Sequence, residues 1–251
     1  LTVKHWLTAF HRLASPPIFF RLAGRVMPWA LTLAVLTGAI GLGWGLFYAP
    51  ADYLQGESVR ILYIHVPSAW MSLAIWAFMA LAAIAALVWR TKVAETLAIA
   101  AAPVGASFTA ITLLTGALWG RPTWGTYWVW DARLTSELIL LFLYLGVIGL
   151  HRAIEDPRRA ARAASILILV GLVNLPIIRY SVEWWSTLHQ PASVRLSGSS
   201  IHPEMLWPLL VMALATKFYF LWALLARARV MLAANEWQKQ WVRDLWREGR
   251  L

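Results

Sequence analysis

The sequence predicts an all-α integral membrane protein: a six-transmembrane-helix bundle with interfacial amphipathic helices at the N- and C-termini. Only 14% of the 251 residues are charged and 60% are hydrophobic, whereas a soluble domain carries about a quarter charged residues. The apolar residues also gather into blocks close to the ~20 residues that cross a bilayer. The cations then fall unevenly on the two sides of those blocks, which orients the bundle.

The whole chain, 1–251, reads as a single transmembrane domain with spans at 27–50, 61–89, 96–119, 134–151, 163–179 and 202–226. The first carries no charge and follows Arg21 and Arg25. A secretory signal has a shorter apolar region, so a retained anchor is expected despite the Ala49-Pro50-Ala51 triplet. The second is interrupted only by His65, and the third runs to Trp119. The fourth carries Glu137 in its first turn, the fifth lies between Arg162 and Arg179, and the sixth holds Lys217. Charge inside a span is costly and marks function by default. Glu137 and Lys217 sit at different depths and are poor partners; Lys217 either snorkels or faces another subunit.

Six spans place both termini on one side. The opposite face carries only Arg60, Arg121, Arg133, Arg179 and Arg195, whereas sixteen of the 22 cations flank the spans on the terminal side. By the positive-inside rule both termini are cytoplasmic. The net charge of +10 is therefore an orientation signal, and nucleic acid is not an expected partner. The absence of cysteine excludes disulfides, thiolate metal sites and thioether attachment to this chain. Trp6, Phe10 and Leu13, and likewise Trp237, Trp241 and Leu245, recur at helical spacing among charges. Such tails lie in the lipid headgroup region or dock on a partner subunit.

Chemistry is expected in the external loop 119–135, where Trp119, Trp124, Tyr127, Trp128 and Trp130 alternate with Gly120, Pro122 and Gly125 before Asp131 and Arg133. Gly and Pro are expected to interrupt helix here and to let backbone approach a flat partner. An aromatic belt at the membrane interface is the plainer reading, but a belt does not require clustering around Gly and Pro. Aromatic faces suit a large planar ligand, and arginine clamps carboxylates.

The run Trp-Gly-x-x-x-Trp-Gly-x-x-Trp-x-Trp-Asp-x-Arg-x-Thr, Trp119 to Thr135, resembles the tryptophan-rich WWD signature of haem-handling membrane proteins. In length and span number the chain is similar to the CcmC family of cytochrome c maturation. The resemblance implies a bacterial inner-membrane protein that binds b-type haem non-covalently and transiently at its outer face. It implies loading of haem onto a CcmE-like haem chaperone, beside CcmA-, CcmB- and CcmD-like subunits and membrane lipid. By the same resemblance His65 and His189 are iron ligands, and Trp119, Trp124, Tyr127, Trp128, Trp130 and Asp131 form the haem platform.

Imidazole is a common axial haem ligand, and both histidines fall at the level of the Trp loop, although a lone histidine is more often an ordinary polar residue at a helix end. His202, before Pro203, reads as a helix-start residue and a reserve ligand. His5, His11 and His151 belong to the other side. Arg121 and Arg133 are the candidate propionate contacts because the platform carries them; the alternative for the outer arginines is pairing with Asp52, Glu57, Asp131, Glu183 or Glu204. Asp131 also suits a helix N-cap.

No acid, base or nucleophile stands out, so enzymatic action is left open, including promotion of haem attachment to the chaperone. No Gly-x-x-x-x-Gly-Lys-Ser/Thr phosphate loop occurs, so any ATP dependence comes from a partner. Two other function classes remain. A permease moving haem or another amphiphile needs a polar route that the spans barely offer. A bis-histidine electron carrier needs ligands inside facing helices, which spans five and six lack.

Overall fold

The computed structural model describes residues 14–190, 193–195 and 198–249. Pro16 and Pro17 open helix α1 (Pro16–Gly43), where a missing N–H leaves nothing unsatisfied, and the helix runs into a π-turn at Trp44–Tyr48. Asp52 then organises the loop between the first two spans by accepting the Leu54 and Gln55 backbone N–H groups at 2.9 and 2.8 Å. A 3₁₀ turn (Glu57–Ile61) feeds α2 (Leu62–Trp89), and left-handed Arg90 reverses the chain into α3 (Lys92–Trp124). Helix α4 (Ala132–Ala153) follows the Trp loop, and Asp156 caps α5 (Pro157–Gly171) by accepting the Arg159 N–H at 2.7 Å. Helix α6 (Asn174–Trp184), a two-stranded antiparallel hairpin of β1 (Val194–Arg195) and β2 (Gly198–Ser199), α7 (Pro203–Asn235) and α8 (Gln240–Arg247) complete the chain.

Six stretches are long and apolar enough to cross a membrane: Pro16–Tyr48, Glu57–Trp89, Lys92–Trp124, Ala132–Ala153, Pro157–Trp184 and Pro203–Asn235. The protein is an all-α, multi-pass membrane protein, as its composition predicts. The predicted N-terminal amphipathic segment, with Trp6, Phe10 and Leu13, lies outside the described residues. At the other end the tail does form a helix, and Trp241 packs edge-on against Phe20 at 5.5 Å.

Two departures from the sequence reading have local causes. The fifth span is not one helix. It breaks at Leu172 and Val173, whose N–H groups turn back to Leu169 and Val170, because Pro176 has no N–H for the Leu172 carbonyl. Asn174, at the break, donates its side-chain N–H to the Ser136 carbonyl at 2.9 Å. The last helix continues to Asn235, well past the apolar stretch, and Glu236 beyond it accepts Lys92 Nζ at 2.7 Å and Trp241 Nε1 at 2.8 Å. Burial alone would raise the Glu236 carboxyl, but these bonds and the Lys92 charge hold it below the usual carboxylate range. It therefore ties α3, α7 and α8 together as an anion at neutral pH, and that contribution is lost as pH falls through its lowered pKa.

The core lies between α2, α3, α4 and α5 and extends onto α7. Trp76 meets Tyr144 edge-on at 4.8 Å and donates to the Ile168 carbonyl at 3.1 Å, and Tyr144 donates to the Ser72 carbonyl at 2.7 Å. Both rings are fully buried, so each polar tip needs a partner. Tyr144→Phe removes one such bond while conserving shape, and we expect a loss of about 1 kcal/mol, measured by equilibrium unfolding in mixed micelles. Helix α1 packs chiefly on α7 and leaves Val35, Leu36 and Ile40 exposed, a surface that lipid rather than water would cover.

Candidate functional site

The site is built at the end of the bundle where α2 begins and α3 stops. Helix α3 passes through Gly120 and Pro122 and ends only at Trp124, so the irregular backbone is confined to 125–131. Pro122 has no N–H for the Leu118 carbonyl, yet the helix runs on for two residues beyond it. The stop comes from Gly125, whose φ of +79° is left-handed and whose N–H reaches the Arg121 carbonyl. Only glycine takes that conformation without strain. The platform residues therefore divide: Trp119 and Trp124 sit on the last turns of α3, and Tyr127, Trp128 and Trp130 on the loop proper.

The rings are braced unequally. Trp119 donates Nε1–H to Gln55 Oε1 at 2.8 Å. Trp124 meets the His189 ring at 4.7 Å, and Trp128 and Trp130 meet edge-on at 5.3 Å. Tyr127 and Trp130 are 58% and 76% exposed, so the outer part of the loop presents aromatic surface with nothing of this chain on it. Trp128 Nε1–H is buried with no partner among the described residues, a state that costs about 1–3 kcal/mol when left unfilled.

Both histidines converge on this loop. His65, in the first turn of α2, lies edge-on to Trp119 at 5.6 Å, and the close approach of Gly116 makes room for its ring. His65 Nδ1 lies 3.0 Å from Thr115 Oγ1, and that hydroxyl already donates to the Ile111 carbonyl at 2.6 Å. Thr115 must therefore accept, which puts a proton on Nδ1, so that the neutral ring carries its lone pair on Nε2.

His189 reaches the same tautomer by a different route. Its Nδ1 faces Asp131 Oδ2 at 3.4 Å, and its backbone N–H reaches Thr187 Oγ1 at 2.9 Å. Burial and then the Arg133 guanidinium push the His189 imidazole down to about 4, against the opposing pull of Asp131. The ring is neutral at pH 7, so the contact with Asp131 is a long N–H···O hydrogen bond rather than an ion pair. Burial raises the Asp131 carboxyl, but the Leu134 N–H, Thr187 and His189 more than offset this and hold it below its usual range. An ionised Asp131 can only accept, so Nδ1 carries the proton here too.

Asp131 also caps α4, its Oδ1 accepting the Leu134 N–H at 2.8 Å. One carboxylate thus starts a helix and orients an imidazole 58 residues away. Arg133, half-buried in the first turn of α4, lies within electrostatic range of both histidines. Arg121 is turned elsewhere: it donates to the Gly125 carbonyl and stands 5.7 Å over the Tyr127 ring, clamping the loop. Of the other arginines expected on this side, Arg60 pairs with Glu57 and Arg179 with Glu183. His202 occupies the N-cap position of α7, where its carbonyl receives the Met205 and Leu206 N–H groups.

The sequence reading missed the support. Thr115, Thr187 and Gln55 fix the histidines and Trp119, and nothing in their local sequence pointed to partners 50 and 64 residues distant. It also passed over a second aromatic run on α6, where Tyr180 and Trp184 stack at 5.4 Å and Trp184 meets Trp185 edge-on. The four-residue spacing of Tyr180 and Trp184 was the available signal.

Comparison with known proteins agrees with this architecture over almost the full length. A family model described as "Heme exporter protein C" matches residues 9–243. The "Heme exporter protein C" of Bradyrhizobium diazoefficiens is 54% identical over 234 residues, covering 93% of this chain and 87% of that protein. The protein of the same name from Escherichia coli K12 is 50% identical over 240 residues, 96% of this chain and 97% of its own. A "putative cytochrome c biosynthesis ccmC-like mitochondrial protein" of Marchantia polymorpha is 46% identical, with 77% of this chain and 78% of that one aligned. With the six spans and the unbroken Trp signature already in place, these matches show that the chain belongs to the haem exporter protein C (CcmC) family.

Proposed function

We propose that this protein holds haem at the outer face of a bacterial inner membrane and hands it to a CcmE-like haem chaperone during cytochrome c biogenesis. One observation carries the reading: two imidazoles from distant parts of the chain flank the aromatic loop, each donating from Nδ1 and each with Nε2 free of hydrogen bonds among the described residues. Metal-bound histidines characteristically donate their other N–H to a carboxylate or another acceptor. The names of the relatives supply the class of cargo, and the site suits it. The exposed Trp and Tyr faces offer area for a flat macrocycle, and the buried Trp128 N–H is a donor awaiting an acceptor. Arg133 is the better placed cation for a propionate, with Arg121 acting through the loop.

Haem here is cargo, so the hold must be firm yet reversible, and an open platform serves that better than a closed cleft. CcmA-, CcmB- and CcmD-like subunits are the proposed companions, and any energy from ATP enters through them. The cation asymmetry supports cytoplasmic termini. A reporter fused after Trp130 is expected to give an external signal and one after Arg158 an internal signal; the reverse pattern would overturn this orientation.

The dual role of Asp131 gives a sharper test. Asparagine caps a helix as well as aspartate does, so Asp131→Asn should leave stability within about 0.5 kcal/mol. It removes the carboxylate behind His189, and loss of such an outer partner costs on the order of 10–100-fold in metal affinity. Haem titration of the purified variant, followed at the Soret band, reads this directly. Unchanged affinity would mean that Asp131 caps α4 and does nothing for His189.

A further inference from the structure

At the opposite end of the bundle, three arginines surround a half-open pocket of about 240 Å³ lined by Phe20, Arg21, Gly24, Arg25, Arg229 and Leu245. Arg21 and Arg25 are one turn apart on α1, exposed, and point along the same helix face. Arg229, on α7, lies 4.1 Å over the Phe20 ring, approaches bare Gly24 and keeps Nε buried with no partner.

No acidic side chain pairs with any of the three among the described residues. The undescribed residues hold no aspartate or glutamate to do so. Three guanidiniums around one pocket, with no carboxylate among the described residues beside them, repel one another, and an anion there would relieve the repulsion.

Depth indicates which anion. Arg25 is 19 residues from Trp44 along α1 and Arg229 is 22 from Trp207 along α7, roughly 29 and 33 Å at 1.5 Å per residue. Those lengths match the ~30 Å hydrocarbon thickness, so both cations reach the headgroup level when the two exposed tryptophans stand at the other interface. Trp29, 72% exposed one turn deeper than Arg25, offers apolar surface where an acyl chain would run.

We propose that this pocket binds the phosphate group of an anionic phospholipid in the leaflet on the side of the termini. The site does not depend on the haem reading, and the assignment of that leaflet to the cytoplasm rests separately on the cation asymmetry. Phosphate could come from lipid or from solution, and the shared chemistry is a phosphate oxyanion held by a guanidinium fork.

The test is native mass spectrometry of the purified full chain, released from micelles containing phosphatidylglycerol and phosphatidylcholine. Retained phosphatidylglycerol is expected in the parent. Each charge-assisted guanidinium–phosphate contact contributes on the order of tenfold in affinity, so Arg21→Gln with Arg25→Gln should lower retention roughly 100-fold. Both residues are exposed, so this variant keeps the fold. The same loss of charge through Arg152→Gln with Arg159→Gln should leave retention unchanged; an equal drop there would reduce the effect to general surface charge and overturn the site. Equal retention in the parent and the Arg21/Arg25 variant would overturn it too, leaving the arginines for an acidic segment of a partner protein. Displacement of the lipid by excess inorganic phosphate would overturn the lipid as the source.

Discussion

Replacing His65 and His189 together with alanine will abolish the Soret band of protein purified from haem-replete cells, whereas the parent will show one. The expectation rests on both Nε2 lone pairs being directed by fixed hydrogen bonds at Nδ1. A missing outer partner already costs on the order of 10–100-fold in metal affinity, and losing both ligands must exceed that. Each single variant should retain a weakened, shifted band, because one imidazole remains.

The fold should survive these changes. Thr115 keeps its bond to the Ile111 carbonyl without His65, and Asp131 still caps α4 without His189. A band that persists in the double variant and disappears only after His202→Ala would move the ligand set to the start of α7. A band untouched by all three would sink histidine ligation.

The second large effect concerns the platform. Replacing Trp124, Trp128 and Trp130 with alanine is expected to abolish transfer of haem to the chaperone while membrane insertion stays intact. Aromatic stacking contributes about 1 kcal/mol per ring beyond area, so three rings amount to on the order of 100-fold in retention. The three are not equivalent. Trp130 is largely exposed and braces only Trp128, so Trp130→Ala alone should cost transfer without cost in stability. Trp124 is half-buried and touches His189, so its loss should also shift the Soret maximum through the ligand. Unchanged transfer in the triple variant would return the loop to an interfacial belt.

The parts of this protein that were legible in its sequence are those fixed by solvent and by local chemistry. Six apolar blocks in a chain this poor in charge have one stable arrangement in lipid, because every backbone group must be bonded within its own helix. The ordered Trp-Gly-Trp pattern, the Asp131 cap and the paired histidines could be read one after another along the chain, since each depends on residue type and short spacing. Helix ends were less legible. Gly120 and Pro122 look like breakers but sit in a last turn that α3 completes, and Pro176 breaks a span whose apolar run appeared continuous.

Only the tertiary structure decided which nitrogen of each imidazole is free. That depends on Thr115 having spent its proton on Ile111 and on Asp131 being ionised beside His189, contacts that link residues 50 and 58 positions apart. It decided equally that Arg21, Arg25 and Arg229 face one pocket with no carboxylate among the described residues beside them, since α1 and α7 meet only through the antiparallel packing of the first and last spans. A sequence sets which groups a chain carries and where helices can form. The balance of donors, acceptors and charges around each group is a sum over neighbours in space, and folding alone chooses those neighbours.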